Sequence, residues 1–152
     1  MASDKLIVRK IEKEDLPEIW KQSQSVLGSE VWFSKEFLFD TFEKFGENSY
    51  LFEDENGKIG GATILQGHYD GRAWTWMIYV RKDLQSKGYG SKFLAAIEKE
   101  LKRKGYRKLY ADVTVGDAPS TLFHVKNGFK VSGVFPEWHG KRKDALILHK
   151  NL

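Results

Sequence analysis

The chain has 152 residues, 41% of them hydrophobic and 30% charged, with a formal net charge of +4 and no cysteine. That is the composition of one globular domain with room for a real core. It excludes disulfides, Cys-ligated metals and thiol catalysis, and no apolar run is long enough to span a bilayer. The N-terminal stretch MASDKLIVRK lacks the pattern of a secretory signal, so the expected location is the cytoplasm.

Lys5 to Ile11 alternates and predicts a first strand. The segment EKEDLPEIWKQSQSVLG predicts a helix with acidic residues in its first turn, Pro17 early enough to be tolerated, and Gly28 at its end. Ser34 can cap a second helix with the stripe Phe37, Leu38, Thr41, Phe42 and Phe45, closed by Gly46. Phe37 and Phe42 read first as core on that stripe. Two apolar runs then flank Asn56-Gly57, the strongest short hairpin signal, and Asp70-Gly71 marks a second turn. A β-branched and aromatic run from Trp74 to Val80 predicts a buried fourth strand, so strands two to four form an antiparallel meander.

A helix with the stripe Phe93, Leu94, Ile97 and Leu101 follows, with Gly105 placed to end it. KLYADVTV predicts a fifth strand, parallel to the fourth because a helix crosses between them. Asp117 caps a short helix with Pro119 in its first turn and Gly128 past its end. FKVSGVF and DALILHKNL predict two closing strands. The expected fold is a single α/β domain over residues 1–152. Its mixed, mostly antiparallel sheet has about seven strands, one parallel pair (the fourth and fifth) and helices on both faces.

Charge is unevenly spread. Residues 81–108 hold ten basic and three acidic residues, a net of +7, whereas residues 30–47 hold five acidic and two basic, a net of −3. A solvated helix face explains the basic stretch by itself. Beside a phosphate-type loop, a site for an anionic ligand explains it better.

Such a loop stands between the fourth strand and the central helix, where Gly88 and Gly90 open the helix. Strand, glycine loop and helix N-terminus make an anion site, because free N–H groups and the helix dipole converge there. A P-loop needs Gly-Lys-Ser/Thr, whereas Gly90 is followed by Ser91-Lys92. A Rossmann fingerprint needs a third small residue where Phe93 stands, and prefers the first strand of the chain. A loop whose glycines serve turn geometry alone is the bland alternative.

QSKGYG, Gln85 to Gly90, after MIYV and before an amphipathic helix, resembles the acetyl-CoA loop of the GNAT superfamily of N-acetyltransferases. The family pattern is Gln or Arg, two residues, Gly, one residue, Gly or Ala. The order of elements is similar over the whole chain, although the N-terminal half is similar only in general. The resemblance implies that the fourth and fifth strands splay, with the pantetheine arm of acetyl-CoA in the gap beside Tyr79 and Val80. It implies that the Val80 N–H polarises the thioester carbonyl, and that the backbone of Gln85, Ser86, Lys87, Gly88, Tyr89, Gly90 and Ser91 receives the pyrophosphate. No metal is implied.

A second family motif runs Asn, two residues, Ala, three residues, Tyr, three residues, Gly-Phe. Asp117, Ser120, His124 and Gly128-Phe129 occupy those positions. The family tyrosine protonates the departing thiolate, so His124 inherits that expectation, since an imidazolium is a competent acid near neutral pH. A histidine that merely packs is the alternative. Asp117 and Ser120 then border the cofactor, and Lys126 reaches phosphate. The fourth strand lacks the glutamate base of some members. Asp112, five residues before Asp117, matches the spacing of a catalytic Glu in some peptide N-terminal acetyltransferases of the family. His139 and Glu137 are further candidates, and an exposed, hydrogen-bonded strand residue is the plain reading of Asp112.

By the same resemblance residues 1–71 mainly wall the acceptor, 72–129 form the acetyl-CoA core, and 130–152 supply closing strands. Acceptor-side candidates are Trp32, Glu30, Trp76 and Trp138, with Phe33, Phe37, Tyr69, Glu36 and Asp40 around them. Aromatics with carboxylates suit a cationic amine. The expected activity is acetyl transfer from acetyl-CoA to a primary amine by direct attack, the acceptor being a polyamine, a peptide or protein amino group, or another small amine. The alternatives are a non-catalytic acyl-CoA sensor of the same fold and a small nucleic-acid-binding domain using the basic helix. No membrane partner is expected, nucleic acid is the least favoured partner, and a homodimer is compatible with all of this.

Overall fold

The computed structural model describes residues 6–28 and 33–152. Seven strands form one sheet in the order β1-β2-β3-β4-β5-β7-β6. They are β1 (Ile7–Lys10), β2 (Tyr50–Glu53), β3 (Ile59–Gly67), β4 (Arg72–Val80), β5 (Lys108–Thr114), β6 (Lys130–Phe135) and β7 (Ala145–Asn151). Four α-helices cover it: α1 (Leu16–Leu27), α2 (Lys35–Phe45), α3 (Tyr89–Arg103) and α4 (Ala118–Lys126). β1 to β4 are antiparallel neighbours, β4 and β5 are parallel, and β7 lies between β5 and β6. This is the mixed sheet that the element order predicts.

Alternate strand residues face opposite sides of the sheet and build two cores. On one side Phe93, Leu94, Ile97 and Leu101 of α3 pack on Ala73, Leu109, Ala111, Val113 and Leu148. On the other, Leu16, Ile19 and Leu38 of α1 and α2 pack on Leu51, Ala62, Ile64, Met77 and Tyr79. The predicted α3 stripe is buried residue for residue. Phe42 joins the second core, but Phe37 is 37% exposed. Its ring lies edge-on to Trp76 at 5.6 Å, at the rim of the core, which corrects the expectation for that residue.

Helix ends follow local chemistry. The Ser34 hydroxyl accepts the Phe37 N–H at 3.1 Å and the Asp117 carboxylate accepts the Ser120 N–H at 3.2 Å. α1 starts later than predicted, with a separate turn at Lys13–Asp15 before it, and Pro17 stands in its first turn, where a missing N–H costs no intrahelical bond.

One irregularity decides the rest. Ile64 pairs with Met77 but Leu65 pairs with Thr75, so Trp76 is an extra residue on β4. A bulge bends its strand and increases local twist. The parallel pairing of β4 with β5 runs from Arg72–Lys108 to Thr75–Ala111 and stops at the bulge. Beyond it the two strands diverge, and the sheet opens between Ile78–Val80 and Thr114.

Candidate active site

The opening is a cleft of about 1140 Å³, above the roughly 300–1,000 Å³ common for small-ligand sites. Ile78, Tyr79 and Val80 line one wall, and Thr114, Val115 and Gly116 the other. Arg81 N–H donates to Gly60 O at 2.8 Å on the β3 side. Antiparallel alternation therefore turns the Val80 N–H to the opposite edge, where a paired β5 would have supplied an acceptor. The Val80 carbonyl is covered by the Gln85 side-chain amide at 2.8 Å. The Tyr79 side chain turns into the core and donates to Gln22 Oε1 at 2.8 Å, and burial pushes its hydroxyl well above the usual phenol range. By the same alternation its backbone N–H and C=O turn to Ala62 on β3, so it borders the cleft without offering it a donor.

Gln85, Ser86, Gly88, Gly90 and Ser91 line the mouth of the same cleft. Ser86 and Gly88 both take positive φ, 61° and 83°, folding the loop back on itself. Gly88 has the lower cost, since it has no Cβ. No side chain caps α3, and its first turn holds no acidic residue. The Lys92 N–H to Gly88 O bond at 3.2 Å opens the helical ladder, leaving the N–H groups of Tyr89, Gly90 and Ser91 for an outside acceptor. A Cβ on Gly90 would lie 3.0 Å from the Phe123 ring, so glycine lets α4 close over this helix end. Lys87 and Tyr89 do not line the cleft with their side chains; the Tyr89 ring stacks on Phe52 at 5.8 Å. An anionic ligand would meet backbone donors here, a donor set that suits a pyrophosphate.

α4 forms the far wall. Asp117, Ser120, His124 and Lys126 all line the cleft. His124 is 4% exposed, its Nδ1 is 2.8 Å from the Ser120 carbonyl, and its ring lies edge-on to Phe123 and Phe129. A carbonyl only accepts, so Nδ1 carries a proton. Burial lowers the imidazole pKa below its ordinary value, with the Ser120 carbonyl opposing more weakly.

Behind His124 lies a smaller cavity of about 80 Å³, shared by Asp112, Thr114 and His139. Asp112 is not the exposed strand residue of the plain reading: its side chain is 2% exposed. One carboxylate oxygen accepts the Trp74 indole N–H at 2.7 Å, and the other meets His139 Nε2 at 2.5 Å. His139 Nδ1 faces the Thr114 hydroxyl at 2.7 Å. The loop between β6 and β7 delivers His139 because it is tied internally. Glu137 N–H donates to the Asp144 carboxylate at 2.8 Å, Arg142 N–H to the Glu137 carboxylate at 2.9 Å, and His139 N–H to Lys143 O at 3.0 Å. The Glu137 carboxylate is thereby engaged in its own loop.

On the acceptor side, Trp76 lines the smaller cavity and donates its indole N–H to Gln66 Oε1 at 2.9 Å. Trp138 is 43% exposed and packs edge-on against Phe135, away from both cavities. Trp32 and Glu30 lie outside the described residues. Sequence reasoning passed over Thr114 and Phe123, and over Arg142 and Lys143, which bring positive charge to the cleft from the closing loop. The basic triplet Lys141-Arg142-Lys143 before a strand was the available signal for the last two.

The family model described as "Acetyltransferase (GNAT) family" matches residues 7–129. The chain therefore belongs to the GNAT acetyltransferase family. L-methionine sulfoximine/L-methionine sulfone acetyltransferases from Pseudomonas paraeruginosa and Pseudomonas aeruginosa are each 33% identical over 78 residues, covering 49% of this chain and 45% of theirs. The matched stretch spans just under half the length of those curated relatives. The ribosomal-protein-S18-alanine N-acetyltransferase from Escherichia coli superposes with a TM-score of 0.82 at 23% identity, over 97% of this chain and 94% of that one. The structure of yncA, a proposed acetyltransferase from Salmonella typhimurium solved with its cofactor acetyl-CoA, gives 0.75 at 20% identity, over 97% and 94%. These two likenesses establish the fold.

Proposed function

We propose that the chain is an acetyl-CoA-dependent N-acetyltransferase acting on a primary amine by direct attack, within one domain spanning residues 1–152. The observation that carries this reading is the divergence of β4 and β5 at the Trp76 bulge, with an uncapped, acid-free helix N-terminus at its mouth. A pantetheine arm is a strand-like chain that would use the unpaired edge, and the pyrophosphate would take the N–H groups of the loop and of Tyr89, Gly90 and Ser91. Lys126, Arg142 and Lys143 add positive charge around it. Acetyl-CoA supplies the activated thioester when bound. The Val80 N–H would donate to the oxygen on which charge develops, the term worth most in acyl transfer.

Asp112 is the proposed carboxylate of proton removal, held by Trp74 and His139. His124 is the proposed partner of the departing sulfur, but in its buried site the neutral ring is favoured, so its acid role would strengthen as pH falls. The acceptor wall combines Phe33, Phe37 and Trp76. Amino-acid-like amines of the kind acted on by the Pseudomonas relatives, and N-terminal alanine peptides like the substrate of the E. coli enzyme, head the acceptor panel. A cytoplasmic location belongs to this reading.

The test is thiol release from acetyl-CoA with that panel, alongside calorimetric titration of coenzyme A. Turnover on an amine is the expected result. In Gly90→Trp the indole would displace Phe123 or fill the cleft, so coenzyme A affinity should fall at least roughly 100-fold, about 2.7 kcal/mol. Undiminished affinity in a folded variant would sink the cleft assignment. A non-catalytic acyl-CoA sensor is the second reading, favoured by the buried neutral His124 where the family places a tyrosine; tight coenzyme A binding with no turnover on any amine would select it. A nucleic-acid role for α3 is weakened by its internal pairing, with Arg103 on Glu100 and Lys104 on Asn48 and Tyr50.

A further inference from the structure

Asp112 cannot meet an acceptor amine directly. Its side chain is 2% exposed, and each oxygen holds a hydrogen bond, one from Trp74 and one with His139 Nε2. His139 is 3% exposed at its side chain, so it too is shielded. Thr114 is different. It is half-buried at the end of β5, and it lines both the smaller cavity and the cleft between the diverging strands. Its hydroxyl is 2.7 Å from His139 Nδ1. A carboxylate accepts only, so the bond at Asp112 places a proton on His139 Nε2 and leaves Nδ1 of the neutral ring as an acceptor for the Thr114 O–H. The order is hydroxyl, imidazole, carboxylate, the arrangement that makes a hydroxyl able to give up its proton.

We propose that Thr114 and His139 form a relay that carries the proton of the attacking amine from the cleft to the Asp112 site. The inference rests on the acetyl-transfer reading above. A hydroxyl both donates and accepts, so Thr114 can take a proton on Oγ as it gives its own to His139 Nδ1, and no alkoxide forms. In one turnover the N–C bond forms, and the C–S bond breaks with its electron pair leaving on sulfur. One N–H proton passes to Thr114 Oγ as the hydroxyl proton passes to His139. The imidazolium is held against the Asp112 carboxylate until it returns the proton to solvent. Thr114 is the group that touches substrate; His139 and Asp112 act through it. Among the described residues, the other titratable groups lining the cavity with His139 are His124 and Asp117 at its α4 wall, and Lys143 binds its backbone N–H through a carbonyl.

Two measurements test the relay. In the first, ¹⁵N-histidine NMR of the wild-type protein should show His139 protonated at Nε2 with Nδ1 a hydrogen-bonded acceptor. Thr114→Val should move the Nδ1 resonance to that of an unbonded imine nitrogen, and Thr114→Ser should restore it. A wild-type His139 carrying its proton on Nδ1 overturns the relay. In the second, Thr114→Val should lower kcat about 100-fold with KM for acetyl-CoA nearly unchanged, lose the limb of the pH–rate profile that His139→Gln also loses, and recover in Thr114→Ser. An unchanged rate in Thr114→Val would mean that water in the smaller cavity reaches His139 or Asp112 directly, which overturns the relay, as would an acetyl ester trapped on Thr114. The NMR arm needs no turnover. Failure of every amine in the panel strikes the acetyl-transfer reading and leaves the hydrogen-bond chain to be judged by its spectrum.

Discussion

At the scale of single residues, burial sets the chemistry. His124 sits where the family pattern has a tyrosine, and desolvation holds its pKa below the ordinary 6.5. The linkage sign follows directly. The unfolded chain binds a proton on this histidine at a higher pH than the folded protein does. The folded state therefore loses stability as pH falls below 6.5, and the loss is complete below the lowered folded value. Chemical denaturation between pH 7.5 and 5 should show this fall, and His124→Gln, which can keep a donor to the Ser120 carbonyl, should flatten it. An identical pH dependence in the variant would mean that the imidazole is not desolvated. Tyr79 makes the complementary point. Its backbone pairs toward Ala62 on β3 and its hydroxyl is locked on Gln22, so the open backbone donor at this edge is the neighbouring Val80 N–H.

At the scale of elements, one bulge and one cap shape the site. Trp76 breaks the register of β4, and the parallel pairing ends at the same place. α4, which walls the cleft beyond, is only nine residues long, too short to hold itself by helix propensity. Its start depends on the Asp117 carboxylate accepting the Ser120 N–H, and its end on Gly128 at φ +93°. Asp117→Ala should cost about 1 kcal/mol, read as a lowered urea midpoint, and should weaken coenzyme A binding because Asp117 and Ser120 line the cleft. Asp117→Ser should recover most of the loss. A variant with unchanged midpoint and affinity would show that α4 is held by Phe123 and Phe129 packing alone.

At the scale of the whole molecule, a modest formal charge of +4 hides a local field. Part of the basic excess in α3 and its flanks is paired, with Arg81 bound to Asp54 and Asp83 and Arg103 to Glu100. The cleft draws its charge from Lys126, Arg142 and Lys143 and from the α3 terminus. Coenzyme A at 100 times its Kd should add about 2.7 kcal/mol to stability, seen as a rise in Tm. Raising salt from about 50 to 500 mM should weaken binding while sparing the rate at saturation, since screening acts on exposed charge at long range. Salt-insensitive affinity would place recognition in the pantetheine arm.

The elements were legible because each rests on local physics. The α3 stripe, the Asn56-Gly57 turn, the Asp117 cap and the helix-ending glycines are all settled within a few residues, and the strand–helix–strand order forces the parallel pair. The QSKGYG loop was legible for the same reason, as a run of adjacent backbone groups. The proposed proton-transfer site was not, because its members lie far apart in the chain: Trp74 is 38 residues from Asp112, and His139 is 27 residues beyond it. Nothing local marks Thr114 as a partner of His139. Their meeting needs β5 in the sheet centre, the bulge that opens the cleft beside it, and a tied loop that lowers an imidazole onto a buried carboxylate. The sequence by itself determined the strands, the helices and the uncapped glycine loop proposed for an anionic donor. Only the tertiary structure decided which distant side chains share a desolvated cavity, because desolvation and hydrogen-bond partnership are properties of the packed chain.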